Sequence, residues 1–394
     1  MERIGIYGGT FNPPHLGHIC AARYAAEALG LSKLLMIPAN IPPHKDMGEG
    51  MPTPRQRQEM LQLSVAGQPG LQVCDLELRR GGISYTYETV EAVSGLYPDA
   101  ELVLCMGSDM FEGFEHWKLP QRILDKASLA VFSRGTKGEV ELIARKREQW
   151  VCQGAKISVL ENPVVQIAST DLRRMLTFRC ADPFLPEGVG DYIRRNGLYG
   201  TGRDLRDLPM EALEKAVVSL LDPKRVAHVL GCRDTAAELA RHWGADETDA
   251  ARAGMLHDIT KAMDGPLQLT LCQEYGILLD AFSRGNPKTL HALTGSMVAE
   301  RIFGENPAVV AAIRSHTTGK PDMNTLEKII YVADYMEPNR DFPGVEELRY
   351  LAYTNIDKAL KLGLEMTLSM LREQKREISP ESQEALAYLT ETGV

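Results

Sequence analysis

Two groups of residues in this sequence have the types and spacing needed for chemistry on phosphates. The first is the run Gly8-Gly9-Thr10-Phe11-Asn12-Pro13-Pro14-His15-Leu16-Gly17-His18, which places glycines, prolines and two histidines in one loop. The second is a series of histidines and carboxylates between residues 228 and 334, which offers ligands for a metal ion. Each group needs secondary structure that brings its side chains together.

The first run is predicted to be the turn between a strand and a helix. Within residues 3–7, apolar side chains occupy alternate positions, as in a strand, and the alanine-rich residues 19–29 favour a helix. Such turns bind ligands in open α/β sheets, because glycine allows close backbone approach and a helix start presents N–H groups to an anion. His15 and His18 can both face this point. The loop alone leaves open whether it is a polyphosphate site or an ordinary loop with two surface histidines.

Alternating strands and helices continue through the first half of the chain. Strands are predicted at residues 33–39, 71–78, 101–106, 129–133 and 157–160, and Thr53-Pro54 is typical of the start of a helix. This alternation predicts an α/β fold with a Rossmann-like parallel sheet flanked by helices.

Polar residues follow three of these strands. His44 and Lys45 lie in a Pro-Pro loop after the second strand, Gly107 and Asp109 follow the fourth, and Arg134 follows the fifth. The C-terminal ends of parallel strands meet at one edge of the sheet, where ligands bind. We therefore expect these residues near the first loop.

Three aromatic residues, Phe111, Phe114 and Trp117, come next in the chain. An aromatic face can stack on a flat heterocycle. Their three-residue spacing equally predicts a helix face in the hydrophobic core, so spacing alone leaves both interpretations open.

The last motif of the first half is Ile167-Ala168-Ser169-Thr170-Asp171-Leu172-Arg173. Serine or threonine at a helix start, with arginine in the first turn, brings N–H groups and a guanidinium to one point, which would clamp a phosphate. Taken alone, the same residues are also explained by a plain capped helix.

Together these motifs resemble the nucleotidyltransferase superfamily. The first run resembles its (H/T)xGH signature, and residues 167–173 resemble its SxTxxR signature, with Ala168 where relatives often carry serine. The order of the motifs over residues 1–199 is similar to that of bacterial nicotinate-nucleotide adenylyltransferases, which transfer AMP from ATP to nicotinate mononucleotide and release pyrophosphate.

The resemblance implies roles for individual residues. The ATP phosphates would lie against His15, His18, Lys45 and Arg173, with Mg²⁺ arriving with ATP. Trp117 would stack on the pyridine ring and Thr86 would help to hold the nicotinate nucleotide. The remaining nucleotide-binding positions are Gly8, Thr10, Phe11, His44, Gly107, Asp109, Arg134, Ser169 and Thr170.

The second half of the chain has a different pattern. After a polar linker at residues 200–206, residues 207–394 contain successive amphipathic helical runs without predicted strands. Six residues on apolar faces of these runs can bind a metal: His228, His257, Asp258, His291, His316 and Asp334. A lone histidine on such a face is usually a core residue, but a carboxylate there requires a cation or a partner. The whole set favours a site for Fe, Mn, Zn or Co.

The order of these residues resembles the HD-domain phosphohydrolases. The segments Arg225-Val226-Ala227-His228, His257-Asp258-Ile259-Thr260-Lys261 and Glu337-Pro338-Asn339-Arg340 are similar to the YqeK-like branch, whose members cleave diadenosine tetraphosphate symmetrically into two ADP. The resemblance implies that a first metal would be bound by His228, His257, Asp258 and Asp334. His291 and His316 would bind a second metal or substrate phosphates, Lys261 and Arg340 would contact phosphates, and Asp258 and Lys261 would take part in catalysis.

Composition excludes several classes of protein. The chain has 394 residues, 44 % hydrophobic and 25 % charged, with a net charge of -9, which disfavours broad nucleic-acid binding. Neither a signal peptide nor an apolar run of membrane-spanning length is expected. The seven cysteines include no CxxC pair, as is typical of cytoplasmic proteins. We therefore expect small nucleotides as partners, and the sequence leaves homo-oligomerisation open.

Three alternatives remain at this point. The second half could be a nucleotide-binding regulator without catalysis. The first half could use another acceptor, such as pantetheine phosphate or a cytidylyl acceptor, although Trp117 and the Pro-Pro-His-Lys loop disfavour this. A synthetase-like tRNA binder shares a related HxGH element, but the acidic charge disfavours it.

Overall fold

A computed structural model describes residues 2–43, 50–133, 135, 138–165 and 167–394. The chain divides into two units, Met1–Arg203 and Asp204–Val394. In the part of the chain described, the first unit contains a six-stranded sheet with helices and the second is built from helices. The predicted fold class, α/β followed by all-α, is confirmed.

All neighbouring strands of the sheet are parallel, in the order β3-β2-β1-β4-β5-β6. The order reverses between β1 and β4, so the crevice outside their C-terminal ends is the place where such sheets bind ligands. The strands are β1 Arg3–Gly9, β2 Lys33–Pro38, β3 Leu71–Val73, β4 Glu101–Gly107, β5 Ala127–Phe132 and β6 Ile157–Leu160.

The third strand is shorter than the sequence pattern predicts. Strand β3 ends at Val73, and Leu76–Arg80 is a helix instead of the continuation of the strand to residue 78. Alternating leucines suggested a strand, but Leu-Glu-Leu-Arg-Arg consists of good helix formers. The helix is held by tertiary contact, because the buried Glu77 accepts a hydrogen bond of 2.6 Å from Thr89 Oγ1.

Nine helices occur among the described residues of the first unit. The start predicted at Thr53-Pro54 is confirmed: Thr53 Oγ1 accepts a hydrogen bond from Gln56 N (3.2 Å), and Gln56 Oε1 accepts one from Thr53 N (2.9 Å). The helices are α1 Leu16–Ala28, α2 Pro54–Val65, α3 Leu76–Arg80, α4 Thr86–Leu96, α5 Ser108–Glu112, α6 Pro120–Leu124, α7 Glu139–Val151, α8 Ser169–Thr177 and α9 Val189–Arg195.

The second unit is described throughout and contains eleven α-helices. None of the helices described in either unit is both long and apolar enough to cross a membrane. The helices of the second unit are α10 Met210–Leu220, α11 Val226–Trp243, α12 Glu247–Leu256, α13 Gly265–Tyr275, α14 Ala281–Gly285, α15 Leu290–Arg301, α16 Pro307–Ser315, α17 Thr325–Met336, α18 Val345–Thr354, α19 Ile356–Glu373 and α20 Pro380–Glu391.

Helices α11 and α12 touch backbone to backbone at Gly254. A Cβ atom on Gly254 would lie 2.9 Å from Cα of Arg233 and 3.1 Å from the carbonyl oxygen of Cys232. Backbone atoms cannot rotate away as a flexible side chain can. This contact therefore sets the distance between α11, which carries His228, and the end of α12, which precedes His257.

We predict that Gly254→Ala separates these two helices and destabilises the second unit by about 1–3 kcal/mol, the range for overpacked cores. Hydrogen exchange followed by mass spectrometry should show lost protection in α11 and α12. Gly285→Ala is the matched control, because its Cβ would meet only Glu377 Oε2 at 3.8 Å. Equal protection in the two variants would contradict the close contact.

Candidate active sites

The predicted histidine pair of the first unit meets where β1 turns into α1. His15 is the residue before α1, and its backbone N–H donates a hydrogen bond of 3.2 Å to His18 Nδ1. The two ring centroids are 3.6 Å apart. His15 is buried and His18 is half-buried. The spacing of three residues thus brings both rings to one point at the start of the helix.

The glycines of this loop have different environments. A Cβ on Gly17 would lie 3.0 Å from His15 Nδ1, and a Cβ on Gly9 would lie 3.0 Å from the ring of Phe11. A Cβ on the exposed Gly8 would meet no atom within 4 Å. Gly9 and Gly17 are therefore explained by packing inside the loop, whereas Gly8 leaves open space at the end of β1, where a ligand could approach.

The second motif of the first unit touches the first loop. Arg173, in the first turns of α8, donates one hydrogen bond of 2.9 Å from Nη1 to the carbonyl oxygen of Asn12 and another of 3.1 Å from Nη2 to Thr170 Oγ1. Burial lowers the pKa of Arg173, and the nearby Tyr199 opposes that shift. Two segments 161 residues apart are thus joined at the predicted phosphate site.

A cavity opens beside these two motifs. Its lining includes His15, Gly17, His18, Gly107 and Ile167. Gly107 is the last residue of β4, so the cavity lies at the C-terminal ends of β1 and β4, as the sheet order predicts. Ser169 begins α8 at the same motif, and Asp109 lies in α5 directly after β4.

The aromatic residues divide between the two interpretations. Phe111 and Phe114 are buried in the core beneath the sheet, which confirms the core interpretation for these two. Trp117 is half-buried and packs edge-to-face on Phe114, with centroids 5.3 Å apart. Thr86 is half-buried at the first position of α4. Neither Trp117 nor Thr86 is among the described residues lining the cavity.

Three residues predicted to bind the nucleotide, His44, Lys45 and Arg134, lie outside the described residues.

Sequence reasoning missed two side chains that hold the first loop. The buried Arg57 of α2 donates from Nη1 to the carbonyl oxygen of Thr10 (2.8 Å) and from Nη2 to that of Asn40 (3.0 Å). Tyr199 donates a hydrogen bond of 2.6 Å to Asn12 Oδ1. Arg57 shares its helix face with apolar residues, which was the available signal, since a buried arginine needs acceptors.

In the second unit, the six predicted residues converge from five places in the chain. His228 lies in α11, His257 and Asp258 directly follow α12, His291 lies in α15, His316 directly follows α16, and Asp334 lies in α17. We call these six residues the HD cluster.

Asp258 is the centre of the HD cluster. Its Oδ2 lies 3.5 Å from Nε2 of both His228 and His257, and its Oδ1 lies 3.4 Å from His291 Nε2 and 3.8 Å from His316 Nε2. The side chain is only 1 % exposed, and neither oxygen accepts a hydrogen bond of ordinary geometry. A buried carboxylate requires a cationic partner. The Arg225 guanidinium contacts Oδ2, and the surrounding imidazole nitrogens are further potential ligands of a metal ion.

Backbone carbonyls define the tautomer of three histidines. The Nδ1 atom of His257 lies 2.7 Å from the carbonyl oxygen of Gly254. The corresponding distances are 2.8 Å from His291 Nδ1 to the Lys288 oxygen and 2.6 Å from His316 Nδ1 to the Ile313 oxygen. A carbonyl oxygen can only accept, so Nδ1 carries the proton and Nε2 presents a lone pair to Asp258.

Burial keeps these rings neutral. It holds the pKa of His257 and of His291 well below the usual value and lowers that of His316 to about 4. In His228, Nδ1 lies 3.1 Å from Glu337 Oε1, so its Nε2 also faces inward. His228 Nε2 and His257 Nε2 are 3.2 Å apart, and His228 Nε2 also lies 3.2 Å from Asp334 Oδ1. Because ligand atoms about 2.1 Å from one ion lie roughly 3–4 Å apart, this donor set fits a transition metal.

The other histidine pair already has donors from the protein. Lys261 Nζ lies 2.9 Å from His291 Nε2, and Thr317 Oγ1 lies 3.1 Å from His316 Nε2. Burial lowers the pKa of Lys261 to about 8. Two sets of three potential ligands share Asp258, one with His228 and His257 and one with His291 and His316. Only the first set is left without a donor at its imidazole nitrogens.

Cationic side chains surround the carboxylates of the HD cluster. Asp334 Oδ1 lies 3.2 Å from His228 Nε2 and accepts a hydrogen bond of 2.6 Å from Arg340 Nη2. Arg225 Nη2 contacts Asp258 Oδ2. Arg340, which was predicted to contact phosphate, thus lies at the cluster, and Arg225 adds a second guanidinium.

Three residues of this site received no role from the sequence: Arg225, Thr317 and Glu337. Each had a usable signal. Arg225 precedes His228 by three residues, Glu337 follows Asp334 by three, and Thr317 adjoins His316. Helical periodicity places residues three apart on one face.

Comparison with known proteins identifies both units. The model of the cytidylyltransferase-like family matches residues 6–175, and that of the HD domain matches residues 225–339. A protein of Dictyoglomus thermophilum named "Probable nicotinate-nucleotide adenylyltransferase" is 37 % identical over 201 residues, which cover 50 % of this chain and 99 % of that protein. A protein of the same name from Oceanobacillus iheyensis is 34 % identical, with 52 % of this chain and 100 % of that protein covered.

Two solved structures are also similar. One is described as a predicted HD superfamily hydrolase involved in NAD metabolism from Clostridium acetobutylicum; it is 35 % identical, covers 47 % of this chain and 98 % of its own, and has a TM-score of 0.46. The other is the Plasmodium falciparum nicotinic acid mononucleotide adenylyltransferase complexed with NaAD. It is 18 % identical, the match covers 51 % of this chain and 99 % of that chain, and the TM-score is 0.44.

The motif resemblances are confirmed for the nucleotidyltransferase and for the HD domain. Since the curated relatives are matched over nearly their whole length, the chain belongs to the nicotinate-nucleotide adenylyltransferase family, with a cytidylyltransferase-like domain over residues 6–175 and an HD domain over residues 225–339.

Proposed function

We propose that the chain is a bifunctional enzyme whose first unit transfers AMP from ATP to nicotinate mononucleotide and releases pyrophosphate. The observation that carries this proposal is the meeting of the two signature motifs, in which Arg173 hydrogen-bonds to the carbonyl oxygen of Asn12 beside a cavity lined by His15 and His18. The names of the curated relatives support the choice of acceptor.

The proposed reaction is a direct displacement. The 5′-phosphate of nicotinate mononucleotide attacks the α-phosphorus of ATP in line, the P–O bond to the β-phosphate breaks, and pyrophosphate leaves. Such reactions depend mainly on positioning and charge neutralisation. His18 and the start of α1 would oppose charge on the transferred phosphate, and Arg173 can exchange its carbonyl partner for a phosphate oxygen.

Other roles in this unit are proposed from the motif order. Lys45, His44 and Arg134 would add positive charge around the ATP phosphates, with Mg²⁺ arriving on the nucleotide. Trp117 and Thr86 would contact the nicotinate nucleotide, with the half-buried Trp117 ring available for stacking.

For the second unit, we propose metal-dependent hydrolysis of diadenosine tetraphosphate to two ADP. The observation that carries it is the buried Asp258, which contacts Arg225 and faces Nε2 of His228 and of His257 at 3.5 Å, the arrangement of a potential metal site. His228, His257, Asp258 and Asp334 would hold the ion. A bound divalent transition metal such as iron or manganese supplies Lewis-acid activation of water and phosphate.

The remaining residues of this unit would bind the anionic substrate. Arg225, Lys261 and Arg340 have side chains between 30 % and 38 % exposed, so their charges can reach a ligand. Lys261 and Thr317 already occupy the inner face of His291 and His316. We therefore propose that one ion binds tightly per chain and that the Lys261 ammonium, held beside His291 and His316, contacts substrate phosphates.

We predict that His18→Ala lowers the kcat for AMP transfer by roughly 10²–10³-fold, as expected when a donor to developing charge is lost. The assay measures pyrophosphate release by the full chain with nicotinate mononucleotide, nicotinamide mononucleotide and phosphopantetheine as acceptors. Nicotinate mononucleotide should react fastest, and bound metal should stay unchanged. Efficient transfer to phosphopantetheine alone would overturn the proposed acceptor.

We predict that His228→Ala lowers both metal affinity and the rate of diadenosine tetraphosphate hydrolysis by roughly 100-fold or more. Losing a hydrogen-bond partner of a metal ligand already costs about 10–100-fold, and losing the ligand itself costs more. AMP transfer should persist. His242→Ala is the matched control, since His242 lies on the same helix but bonds to the Tyr353 carbonyl, away from the HD cluster.

Metal analysis and ADP release, measured on the same samples, distinguish the competing functions. One ion per chain together with ADP production supports the hydrolase. A metal-loaded protein that binds diadenosine tetraphosphate but releases no ADP would instead be a nucleotide-binding regulator. Release of ATP and AMP in place of ADP would contradict symmetrical cleavage.

A further inference from the structure

Glu337 carries a buried carboxylate whose two oxygens are both engaged. It follows the end of α17 and is 1 % exposed. Oε1 lies 3.1 Å from His228 Nδ1. Oε2 accepts hydrogen bonds from the backbone N–H of Asn339 (2.7 Å) and from Asn339 Nδ2 (2.8 Å). Both carboxylate oxygens of Glu337 therefore act as hydrogen-bond acceptors for these neighbours.

His228 is the one imidazole of the HD cluster with a carboxylate partner at Nδ1. The Nδ1 atoms of His257, His291 and His316 face backbone carbonyls instead. A carboxylate partner fixes the proton on Nδ1 and increases the basicity of the metal-facing nitrogen. His228 should consequently be a stronger metal ligand than the other three.

The fold reserves space for this carboxylate. A Cβ on Gly231, one turn after His228 on α11, would lie 2.5 Å from Glu337 Oε2. Asn339 Nδ2 also donates to the carbonyl oxygen of Ala227, at 3.2 Å. The segment after α17 is thus tied to α11 on either side of His228, so the position of the carboxylate is set by two elements.

We propose that Glu337 is a positioning residue that fixes the Nδ1–H tautomer of His228 and makes the His228 side of the HD cluster the tighter metal site. The proposal rests on the metal site inferred above. It assigns Glu337 no contact with substrate. The effect on the tautomer passes through His228, since Arg340 Nε, the other cationic group near Oε1, lies 3.9 Å away, beyond hydrogen-bond distance.

Glu337→Gln tests this role with almost no change of shape. An amide offers one acceptor oxygen and one NH₂ donor, whereas both Glu337 oxygens now face donors. The NH₂ group of the new amide must therefore face a donor, either at His228 or at Asn339. If the NH₂ group faces His228, that ring must accept at Nδ1 and carry its proton on Nε2, which removes the lone pair that would bind the metal.

We predict that Glu337→Gln weakens Co²⁺ binding by the full-length chain roughly 10–100-fold, the range for outer partners of metal ligands. The dissociation constant is measured by competition with a chromogenic chelator, and the visible absorption of bound Co²⁺ should change as the imidazole ligand is lost. Neither readout requires catalytic activity.

Glu327→Gln is the matched control. Glu327 is an equally buried carboxylate on α17, but it caps that helix through the Asn324 N–H (2.8 Å) and pairs with Lys320 (2.7 Å). We expect it to lower the melting temperature without changing Co²⁺ affinity. If Glu337→Gln does not fold, Asn339→Ala, at an exposed position, removes the side-chain donor to Oε2 and keeps the backbone N–H donor, and it should weaken binding in the same direction, by less.

The outcomes separate the two proposals. If the wild-type chain binds no Co²⁺, the metal site itself is wrong. If the wild type binds and folded Glu337→Gln binds equally tightly with the same spectrum, the positioning role is wrong while the metal site stands. A loss of affinity shared equally by Glu327→Gln would mark a general effect of destabilisation and would also overturn the positioning role.

Discussion

The second unit is organised around a buried carboxylate that needs a cation. Asp258 is closed off from water and faces the Nε2 atoms of four imidazoles, an arrangement that depends on positive charge from Arg225 and from a metal ion that the site could hold. The surrounding helices hold that arrangement in place: the close contact at Gly254 sets the spacing of α11 and α12, and backbone carbonyls fix the ring tautomers. The packing of the helices therefore also sets the geometry of the proposed metal site, so metal binding would stabilise the folded second unit.

The proposed phosphate site of the first unit is built in a different way. It lies at loops at the end of a parallel sheet, and those loops are held by arginines that donate to backbone carbonyls. Arg57 is buried and fixed, joining the loops after β1 and β2. Arg173 makes similar bonds from a less buried position, which suits a side chain that must change partner when a nucleotide arrives.

The two histidine pairs of the HD cluster illustrate how neighbours change the chemistry of identical side chains. His228 and His257 have no donor between their facing nitrogens, whereas His291 and His316 are approached by an ammonium and a hydroxyl. Under the proposed function, the same residue type would favour a metal on the His228 side of Asp258 and would hold the anion-binding Lys261 ammonium on the other side. A carboxylate behind His228 strengthens that difference.

The sequence by itself determined the alternation of strands and helices in the first unit, the helical character of the second, the turn carrying His15 and His18, the capped start of α2 and the six candidate metal ligands, because these depend on local periodicity and residue chemistry. Only the tertiary structure decided that residues 76–80 form a helix, that Phe111 and Phe114 belong to the core, and that Arg57, Tyr199, Arg225 and Glu337 support the sites. The physical reason is that the stability and the role of a buried charged side chain depend on the groups that it contacts. Those partners lie tens to hundreds of residues away in the chain, as Arg173 and Asn12 or His228 and Glu337 do, and become neighbours only after folding.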